Sequence, residues 1–292
     1  MRHELLHRLV CVVLMVGCGG ATPVFAQTSA APAPPSEHIY RTVDGVPLKA
    51  FVFKPAGTRQ STPTPAILLF HGGGWVAGAP DWTFASAQRY SALGLVAISV
   101  EYRLSREGVS PIEALEDVCA SFHWARAQAQ AFAIDPQRIA ASGVSAGGHL
   151  ASAAATIGCG NTDGAYGTGG PDALVLWSPA LDVSGDGHFR RLLGERATVE
   201  ALNPVEHVRA RMPPVVVVHG ERDNLTPLSG VRRFCDRVKA GGGHCVVHVY
   251  PGVGHLLTRN LANQESDFDP DPVARADGSA KQLEFLRQLW LR

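Results

Sequence analysis

A serine flanked by glycines is the strongest chemical signal in the sequence. Gly143-Val144-Ser145-Ala146-Gly147 follows the pattern G-x-S-x-G, which is typical of a nucleophilic serine on a sharp turn between a strand and a helix. The apolar run 139–142 precedes this pentapeptide and the small-residue run 146–157 follows it. Such a turn lifts the hydroxyl above the sheet and places the positive end of a helix beside it. The pattern predicts Ser145 as a nucleophile.

A serine hydroxyl is a weak nucleophile, so it needs a base to take its proton and an acid to hold that base. Asp223 follows the apolar run 215–219, and His255 follows the run 246–250 on a loop that contains glycines. Serine, acid and histidine thus occur in the chain order known for triads on strand-to-helix turns. Each candidate lies just after a predicted strand, where α/β proteins build their sites. The sequence predicts the triad Ser145, Asp223 and His255.

Two other aspartates are alternatives for the acid of this triad. Asp172 and Asp182 also lie near the ends of predicted strands. Asp182 falls close to the sixth predicted strand, after which a minority of such enzymes carry their acid. Asp223 is the preferred acid, and these two remain open as alternatives.

A run of three glycines follows another apolar segment, 66–70. The run lies in His71-Gly72-Gly73-Gly74-Trp75 and exposes backbone N–H groups that can stabilise a negatively charged oxygen in a transition state. Gly72, Gly73 and Gly74, together with the N–H of Ala146, are therefore the predicted oxyanion hole. Trp75 is predicted to contact substrate, with packing in the core as the alternative.

Strands and helices that alternate along the chain must position these residues. Predicted strands cover 38–41, 48–53, 66–70, 95–100, 139–142, 173–177, 215–219 and 246–250, and predicted helices cover 111–131, 146–157, 228–239 and 279–291. This alternation predicts an α/β fold with a mostly parallel sheet covered by helices on both faces. Residues 27–36 are predicted as a linker and 37–292 as one domain. Segment 183–202 interrupts the alternation, and we expect a small lid or rim beside the site there.

The first 26 residues have the pattern of a signal peptide. Two arginines precede the short apolar run 9–16, and Val24-Phe25-Ala26 supplies small residues for cleavage. The apolar run is too short to span a bilayer. Residues 15–18 also loosely resemble a lipidation motif in which Cys18 would carry the lipid. We therefore expect an exported protein, periplasmic or secreted, with membrane association only if Cys18 is lipidated.

The amino-acid composition bears on two questions: whether the protein binds nucleic acid and whether its cysteines form disulfides. The 292 residues contain 26 Lys and Arg and 26 Asp and Glu, so no net charge attracts a nucleic acid. Four cysteines remain after the leader, and an oxidising compartment permits disulfides among them. The pairs Cys119–Cys159 and Cys235–Cys245 are favoured, with buried free thiols as the alternative. No cysteine or histidine has zinc-site spacing, and we expect no metal or organic cofactor. The oligomeric state stays open.

Several segments resemble the esterase group related to hormone-sensitive lipase, and they look closest to its feruloyl and acetyl-xylan esterase-like branch. These segments are HGGGWVAG at 71–78, EYRLS at 101–105, DPQRIAASGVSAGGHLA at 135–151 and NPVEHVRARMPPVVVVHGERD at 203–223. The sequence departs from many relatives at Val144, where they have Asp or Glu. That position does not take part in the chemistry.

The resemblance implies an α/β-hydrolase fold. Several relatives carry a longer N-terminal cap, and the short stretch before Pro65 predicts a small or absent cap here. The resemblance also implies Ser145 as nucleophile, Asp223 as acid, His255 as base and residues 72–74 in the oxyanion region. The expected activity is hydrolysis of short-chain, acetyl-like esters through an acyl-enzyme intermediate, on a small-molecule or carbohydrate-linked substrate. Amide hydrolysis by the same triad and a non-catalytic binding protein with this fold are the alternatives.

Overall fold

An eight-stranded sheet organises the protein. The computed structural model describes residues 34–56, 63–160 and 169–291. The predicted signal peptide at 1–26, the lipidation alternative at Cys18 and all but the last three residues of the predicted linker lie outside the described residues. The first strand begins at Ser36, one residue before the predicted start of the domain.

The strands lie in the order β1-β2-β4-β3-β5-β6-β7-β8. Their bounds are Ser36–Val43 (β1), Val46–Phe53 (β2), Thr64–Phe70 (β3), Val96–Val100 (β4), Ile134–Val144 (β5), Ala173–Trp177 (β6), Val215–Gly220 (β7) and Cys245–Tyr250 (β8). Strand β2 pairs antiparallel with β1 and β4, and every pairing from β4 to β8 is parallel. The carboxyl ends of β3, β5, β7 and β8 therefore meet at one edge of the sheet.

Helices cover both faces of this sheet. Their bounds are Phe84–Leu93 (α1), Pro111–Ala127 (α2), Ala129–Phe132 (α3), Ala146–Thr156 (α4), Gly187–Leu193 (α5), Leu228–Ala240 (α6) and Pro272–Trp290 (α7). Strand β3 shows how the sheet separates two cores. Leu68 and Phe70 pack in the core that includes residues of α2, α4 and α6, whereas Ile67 and Leu69 pack in the core that includes residues of α1 and α7. Successive side chains of a strand point to opposite faces, so a strand buried on both faces is apolar throughout.

The predicted helix 111–131 is divided into α2 and α3, and α5 was expected only as part of a lid or rim. Two further differences concern α1 and α7. Helix α1 was not predicted, because it buries only Ala87, Tyr90 and Ser91 and so shows little apolar periodicity. Helix α7 begins at Pro272 instead of 279. Asp271 caps it by accepting the Ala274 N–H. Its first turns carry an exposed Val273, so the start of the helix leaves no amphipathic pattern.

Two disulfides link helices to their surroundings. Cys119 of α2 is bonded to Cys159, just beyond α4, and Cys235 of α6 is bonded to Cys245 at the start of β8. These are the favoured pairs, and the structure does not adopt the free-thiol alternative. Among the helices that the structure describes, none is both long and apolar enough to cross a membrane.

Candidate active site

The turn between β5 and α4 holds Ser145 in an uncommon backbone conformation. Its φ is 51° and its ψ is −116°, a region that residues other than glycine rarely occupy. The Ser145 N–H donates to the Trp177 carbonyl at 3.0 Å, and its carbonyl accepts the N–H groups of His149 and Ala180 at 3.0 and 3.3 Å. Both backbone polar groups of the serine are thus fixed. The N–H of Ala146, the first residue of α4, lies next to the hydroxyl along the chain.

Close packing brings the glycine run to this turn. A Cβ at Gly147 would collide with the carbonyls of Phe70 and His71, so a glycine is needed for α4 to begin against the end of β3. The loop that follows β3 therefore passes beside the nucleophile. A Cβ on Gly72 would lie 3.2 Å from the Cβ of Ser145.

Hydrogen bonds join the three predicted triad residues. The distance from His255 Nε2 to Ser145 Oγ is 3.0 Å, and the distance from His255 Nδ1 to Asp223 Oδ2 is 2.8 Å. A carboxylate only accepts, so the proton between Asp223 and His255 belongs to Nδ1. Nε2 is then free to accept from the serine hydroxyl. His255 and Asp223 are buried, with 3% and 5% of their surface exposed.

The turn that follows Asp223 completes the hydrogen bonds of this carboxylate. Oδ1 accepts the N–H groups of Leu225 and Thr226 at 3.1 and 2.9 Å. Oδ2 accepts the Thr226 hydroxyl at 2.9 Å in addition to His255. Burial raises the pKa of Asp223, but the hydrogen bond and charge of His255 and the Thr226 N–H outweigh it, so the net pKa is lowered. The carboxylate is therefore charged when it orients the base.

A second histidine lies behind the acid. His219 of β7 places Nε2 3.6 Å from Asp223 Oδ2, which is too long for a hydrogen bond. Burial is the main reason that the pKa of His219 falls to about 4. The ring is therefore neutral at pH 7 and does not compete with His255 for the charge of Asp223.

The two alternative acids are engaged elsewhere. Asp172 accepts the Ile139 N–H at 2.9 Å. Asp182 forms an ion pair with Arg233 and accepts the Ser184 hydroxyl at 2.7 Å. Neither hydrogen-bonds to His255. The geometry therefore selects Asp223.

Two hydrogen bonds orient the peptide groups of the glycine run. His71 Nδ1 donates to the Gly72 carbonyl at 2.7 Å, and the Ala77 N–H donates to the Gly73 carbonyl at 3.0 Å. Because the C=O and N–H of a trans peptide point in opposite directions, the N–H groups of Gly73 and Gly74 leave on the other side of the loop. These hydrogen bonds orient both N–H groups before any ligand arrives.

Trp75 lies in the core instead of facing a substrate. Its side chain is only 3% exposed, its indole N–H donates to His149 Nδ1 at 3.2 Å, and its ring packs 4.8 Å from that of Phe189. His149 Nε2 in turn donates to the Leu202 carbonyl at 2.8 Å. The prediction of substrate contact at Trp75 is thus corrected to the packing alternative, because the indole has its partners inside the protein.

The irregular segment 183–202 borders the glycine run. Asp186 caps α5 by accepting the N–H groups of His188 and Phe189, and His188 Nε2 donates to the Gly74 carbonyl at 3.0 Å. The segment contains α5 and a short 3-10 turn, Glu200–Leu202. It therefore forms a rim that contacts the predicted oxyanion loop.

Three supporting residues were not predicted from the sequence: Thr226, His188 and Gln264. Thr226 had a usable signal, since an aspartate after a strand commonly accepts backbone N–H groups two and three residues later. His188 and Gln264 lie 43 and 119 residues after Ser145 in the chain. No local pattern ties either to the site.

Known proteins resemble this chain in sequence and in structure. Residues 67–259 match the family described as alpha/beta hydrolase fold. Esterase LipC of Mycobacterium tuberculosis is 30% identical over 66% of this chain and 53% of its own length. The probable carboxylic ester hydrolase LipM of the same organism is 29% identical over 77% of this chain and 54% of its own. The chain thus spans about half the length of the curated relatives it matches.

Solved structures of one esterase cover nearly the whole fold. Thermogutta terrifontis esterase 2 phosphoramylated by tabun superposes with a TM-score of 0.76 at 29% identity, over 89% of this chain and 96% of that one. Its butyrate-bound form has a TM-score of 0.75 at 29% identity, over 88% and 94%.

Proposed function

This chain belongs to the alpha/beta hydrolase fold family, and we propose that it is a serine carboxylic ester hydrolase. The observation that carries the proposal is the hydrogen-bonded chain from Ser145 through His255 to Asp223. The names of the sequence relatives and of the structural neighbour support ester hydrolysis as the reaction class.

The first half of the proposed reaction forms an acyl-enzyme. Ser145 Oγ attacks the ester carbonyl carbon while its proton passes to His255 Nε2, and the carbonyl becomes a tetrahedral oxyanion. Asp223 stabilises the imidazolium that forms. The bond to the alcohol oxygen then breaks, and the alcohol leaves with the proton from Nε2.

The oxyanion of this intermediate is held by backbone N–H groups. Gly73 and Gly74 present theirs on the side opposite the hydrogen-bonded carbonyls of the loop, and Ala146 presents its own at the start of α4. Each such donor contributes about 3 kcal/mol of transition-state stabilisation. Gly72 lies beside Ser145, where a Cβ added to it would come 3.2 Å from the Cβ of the serine.

The second half of the reaction uses the same residues in reverse roles. His255 Nε2 takes a proton from water, and the hydroxide attacks the acyl carbon. The oxyanion of this second tetrahedral intermediate accepts hydrogen bonds from the same N–H groups. When this second tetrahedral intermediate collapses, the bond between the acyl carbon and Ser145 Oγ breaks. Ser145 Oγ then recovers its proton from His255, and the carboxylic acid is released.

We propose that the acyl group is short. Solved structures of Thermogutta terrifontis esterase 2 include propionate-bound and butyrate-bound forms, so a related site accommodates small acids. A more specific form of this proposal is that the enzyme belongs to the feruloyl and acetyl-xylan esterase-like branch.

The test is hydrolysis of p-nitrophenyl acetate, butyrate, octanoate and laurate by the purified mature protein beside Ser145→Ala. We expect the acetate and butyrate to be turned over fastest and Ser145→Ala to lower kcat by about 10⁴- to 10⁶-fold. Undiminished activity in Ser145→Ala would sink the assignment of the nucleophile. Fastest turnover of laurate would contradict the short acyl group, and preference for the matching p-nitroanilides would favour amide hydrolysis.

We also propose that the mature protein is exported, on the pattern of residues 1–26. The mass of the N-terminus after expression in a bacterial host distinguishes cleavage after Ala26 from lipidation at Cys18. An intact leader on the soluble protein would contradict export.

A further inference from the structure

A closed loop follows the catalytic histidine. Residues 258–271, called the closing loop here, begin and end together, since Thr258 forms a β-bridge with Pro270 and the Asp271 N–H donates to the Leu257 carbonyl at 2.9 Å. Arg259 adds a two-pronged ion pair to Asp269, at 3.0 and 2.7 Å. Compact loops with adjoining ends are common at functional sites.

One side chain of the closing loop enters the protein. Gln264 is 5% exposed, and its amide makes three hydrogen bonds. Oε1 accepts the N–H of His255 at 2.8 Å and the N–H of Asn224 at 3.2 Å, and Nε2 donates to the Arg222 carbonyl at 2.9 Å. Two of these partners flank Asp223 and the third is the base itself. One amide therefore joins the loop of the acid to the loop of the base.

The chain makes room for this amide at Gly254. A Cβ there would lie 2.6 Å from Gln264 Nε2, well inside van der Waals contact. The φ of Gly254 is −99°, which any residue adopts. Glycine is therefore required here for the space that Gln264 fills and not for the backbone conformation.

We infer that Gln264 is a positioning residue that holds Asp223 and His255 in register. This inference rests on the proposed function. A direct backbone bond, from the Arg222 N–H to the Val253 carbonyl at 2.8 Å, also joins the two loops and remains without Gln264. What the amide adds is a partner for the N–H of the base, which is buried and otherwise unsatisfied.

Loss of the amide therefore changes the position of the base more than the fold. An unsatisfied buried N–H moves toward water or another acceptor, and His255 moves with it. A displacement of about 1 Å in a reacting group costs about 100-fold in rate. Because Gln264 does not touch substrate, the effect falls on kcat and leaves KM nearly unchanged.

The test compares Gln264→Met with Gln282→Met. Gln282 is a matched control, since it is 6% exposed and bonds through the same two atoms, to Tyr90 at 3.2 Å and to the Leu176 carbonyl at 3.1 Å, outside the triad loops. We expect Gln264→Met to lower kcat on p-nitrophenyl butyrate by about 10- to 100-fold, with KM within about threefold. Gln282→Met should lose stability to a similar degree and keep kcat within about threefold. Equal kcat in the two variants would overturn the inference.

A second variant acts without changing Gln264. Gly254→Ala should slow the wild-type enzyme, because its Cβ displaces the amide, but should slow Gln264→Ala less than about twofold, because the space is then empty. An equal loss in both backgrounds would show that Gly254 acts independently and would overturn the inference. This double-mutant comparison does not depend on Gln264→Met, so it remains a test if that variant does not fold.

The downfield proton NMR resonance of His255 Nδ1 separates the two proposals. It reports the bond to Asp223 whether or not any ester is turned over. We expect the resonance to shift or broaden in Gln264→Met and not in Gln282→Met. An inactive wild type with this difference would reject the proposed function and retain Gln264, whereas an active wild type with unchanged resonances would reject Gln264 alone.

Discussion

The two halves of the active site are held in different ways. The nucleophile half consists of Ser145, α4 and the loop 71–78, and the acid–base half consists of the loops 220–226 and 251–257. Backbone contacts hold the nucleophile itself, while the His71 and His188 side chains orient the glycine run. The N–H and C=O of Ser145 are both bonded to backbone, and the start of α4 lies against the carbonyls at the end of β3.

In the acid–base half, polar side chains supplement the direct backbone bond between the Arg222 N–H and the Val253 carbonyl. The Thr226 hydroxyl and the Gln264 amide bond to the acid loop, and Ser178 Oγ accepts the Leu256 N–H beside the base at 3.1 Å. The Gln264 and Ser178 contacts join segments that lie far apart in the chain, whereas the Thr226 contact is local. The two halves therefore differ at their centres. Backbone groups fix the nucleophile, whereas polar side chains complete the hydrogen bonds of the acid and the base, so the acid–base half is open to graded change.

Within the acid–base half, the largest expected effect is at the acid. Asp223→Asn keeps the shape of the side chain, but its amide donates to His255 Nδ1 and so places the histidine proton on Nε2. The base then cannot accept from Ser145, and we expect kcat to fall by about 10⁴-fold. The nucleophile half stays intact, so a residual rate above the uncatalysed reaction should remain. Steady-state hydrolysis of p-nitrophenyl butyrate measures both.

Asp182→Asn is the control for this substitution. Asp182 was an alternative acid, and it bonds to Ser184 and Arg233 instead of the base. It should keep kcat within a few-fold, since neither Ser184 nor Arg233 belongs to the loops that carry the acid and the base. A larger loss in Asp182→Asn than in Asp223→Asn would reverse the assignment of the acid.

The same contrast explains what the sequence could reveal about the site. The nucleophile half is encoded in two contiguous stretches, 71–78 and 143–148, and motifs identify both. Asp223 and His255 could be found because each follows an apolar strand. The residues that hold them could not, because Gln264 reaches the site only through the folding of the closing loop. Trp75 was misjudged for a related reason, since a motif does not show which way a neighbouring side chain points.

The fold was predictable to a similar extent. Strands β3, β4, β6 and β7 are largely apolar because both faces are buried, so composition locates them, while the edge strand β8 is half-buried. Helix α1 and the start of α7 were missed because they bury few side chains, and an amphipathic pattern arises only from burial. Asp271 caps α7 through its side chain and is followed by a proline at the first helical position. This pair of residues is a sequence signal for the start of the helix.

The next prediction concerns the pH dependence of stability, which His149, a buried neutral histidine in α4, is expected to affect. Burial, the main cause, lowers the pKa of His149 from 6.5 to about 4 in the folded protein. The unfolded chain binds a proton below pH 6.5, whereas the folded protein does not until about pH 4. Stability therefore falls as pH falls through this window, by about 3 kcal/mol in total for this residue.

Urea unfolding at pH 7.5 and at pH 4.5 measures this loss. His149→Gln cannot titrate, so its stability should decline less between the two pH values than that of the wild type. His219, whose pKa is also about 4, contributes a loss of the same sign behind the acid and remains in the variant. Parallel pH profiles for His149→Gln and wild type would show that His149 is protonated in the fold.

The smallest expected effect tests the side-chain support of the acid–base half directly. Thr226→Val preserves shape and removes the hydroxyl that donates to Asp223 Oδ2 at 2.9 Å, while two N–H groups still hold Oδ1. A hydrogen bond to a charged group contributes about 1.5 to 3 kcal/mol, and part of it is felt in the transition state. We expect kcat to fall about tenfold. The matched control is Thr156→Val, since Thr156 is also buried but donates only to the Ser152 carbonyl at 3.0 Å within α4. If both variants keep the wild-type kcat, the acid–base half is held by its backbone as the nucleophile half is, and the distinction between them does not stand.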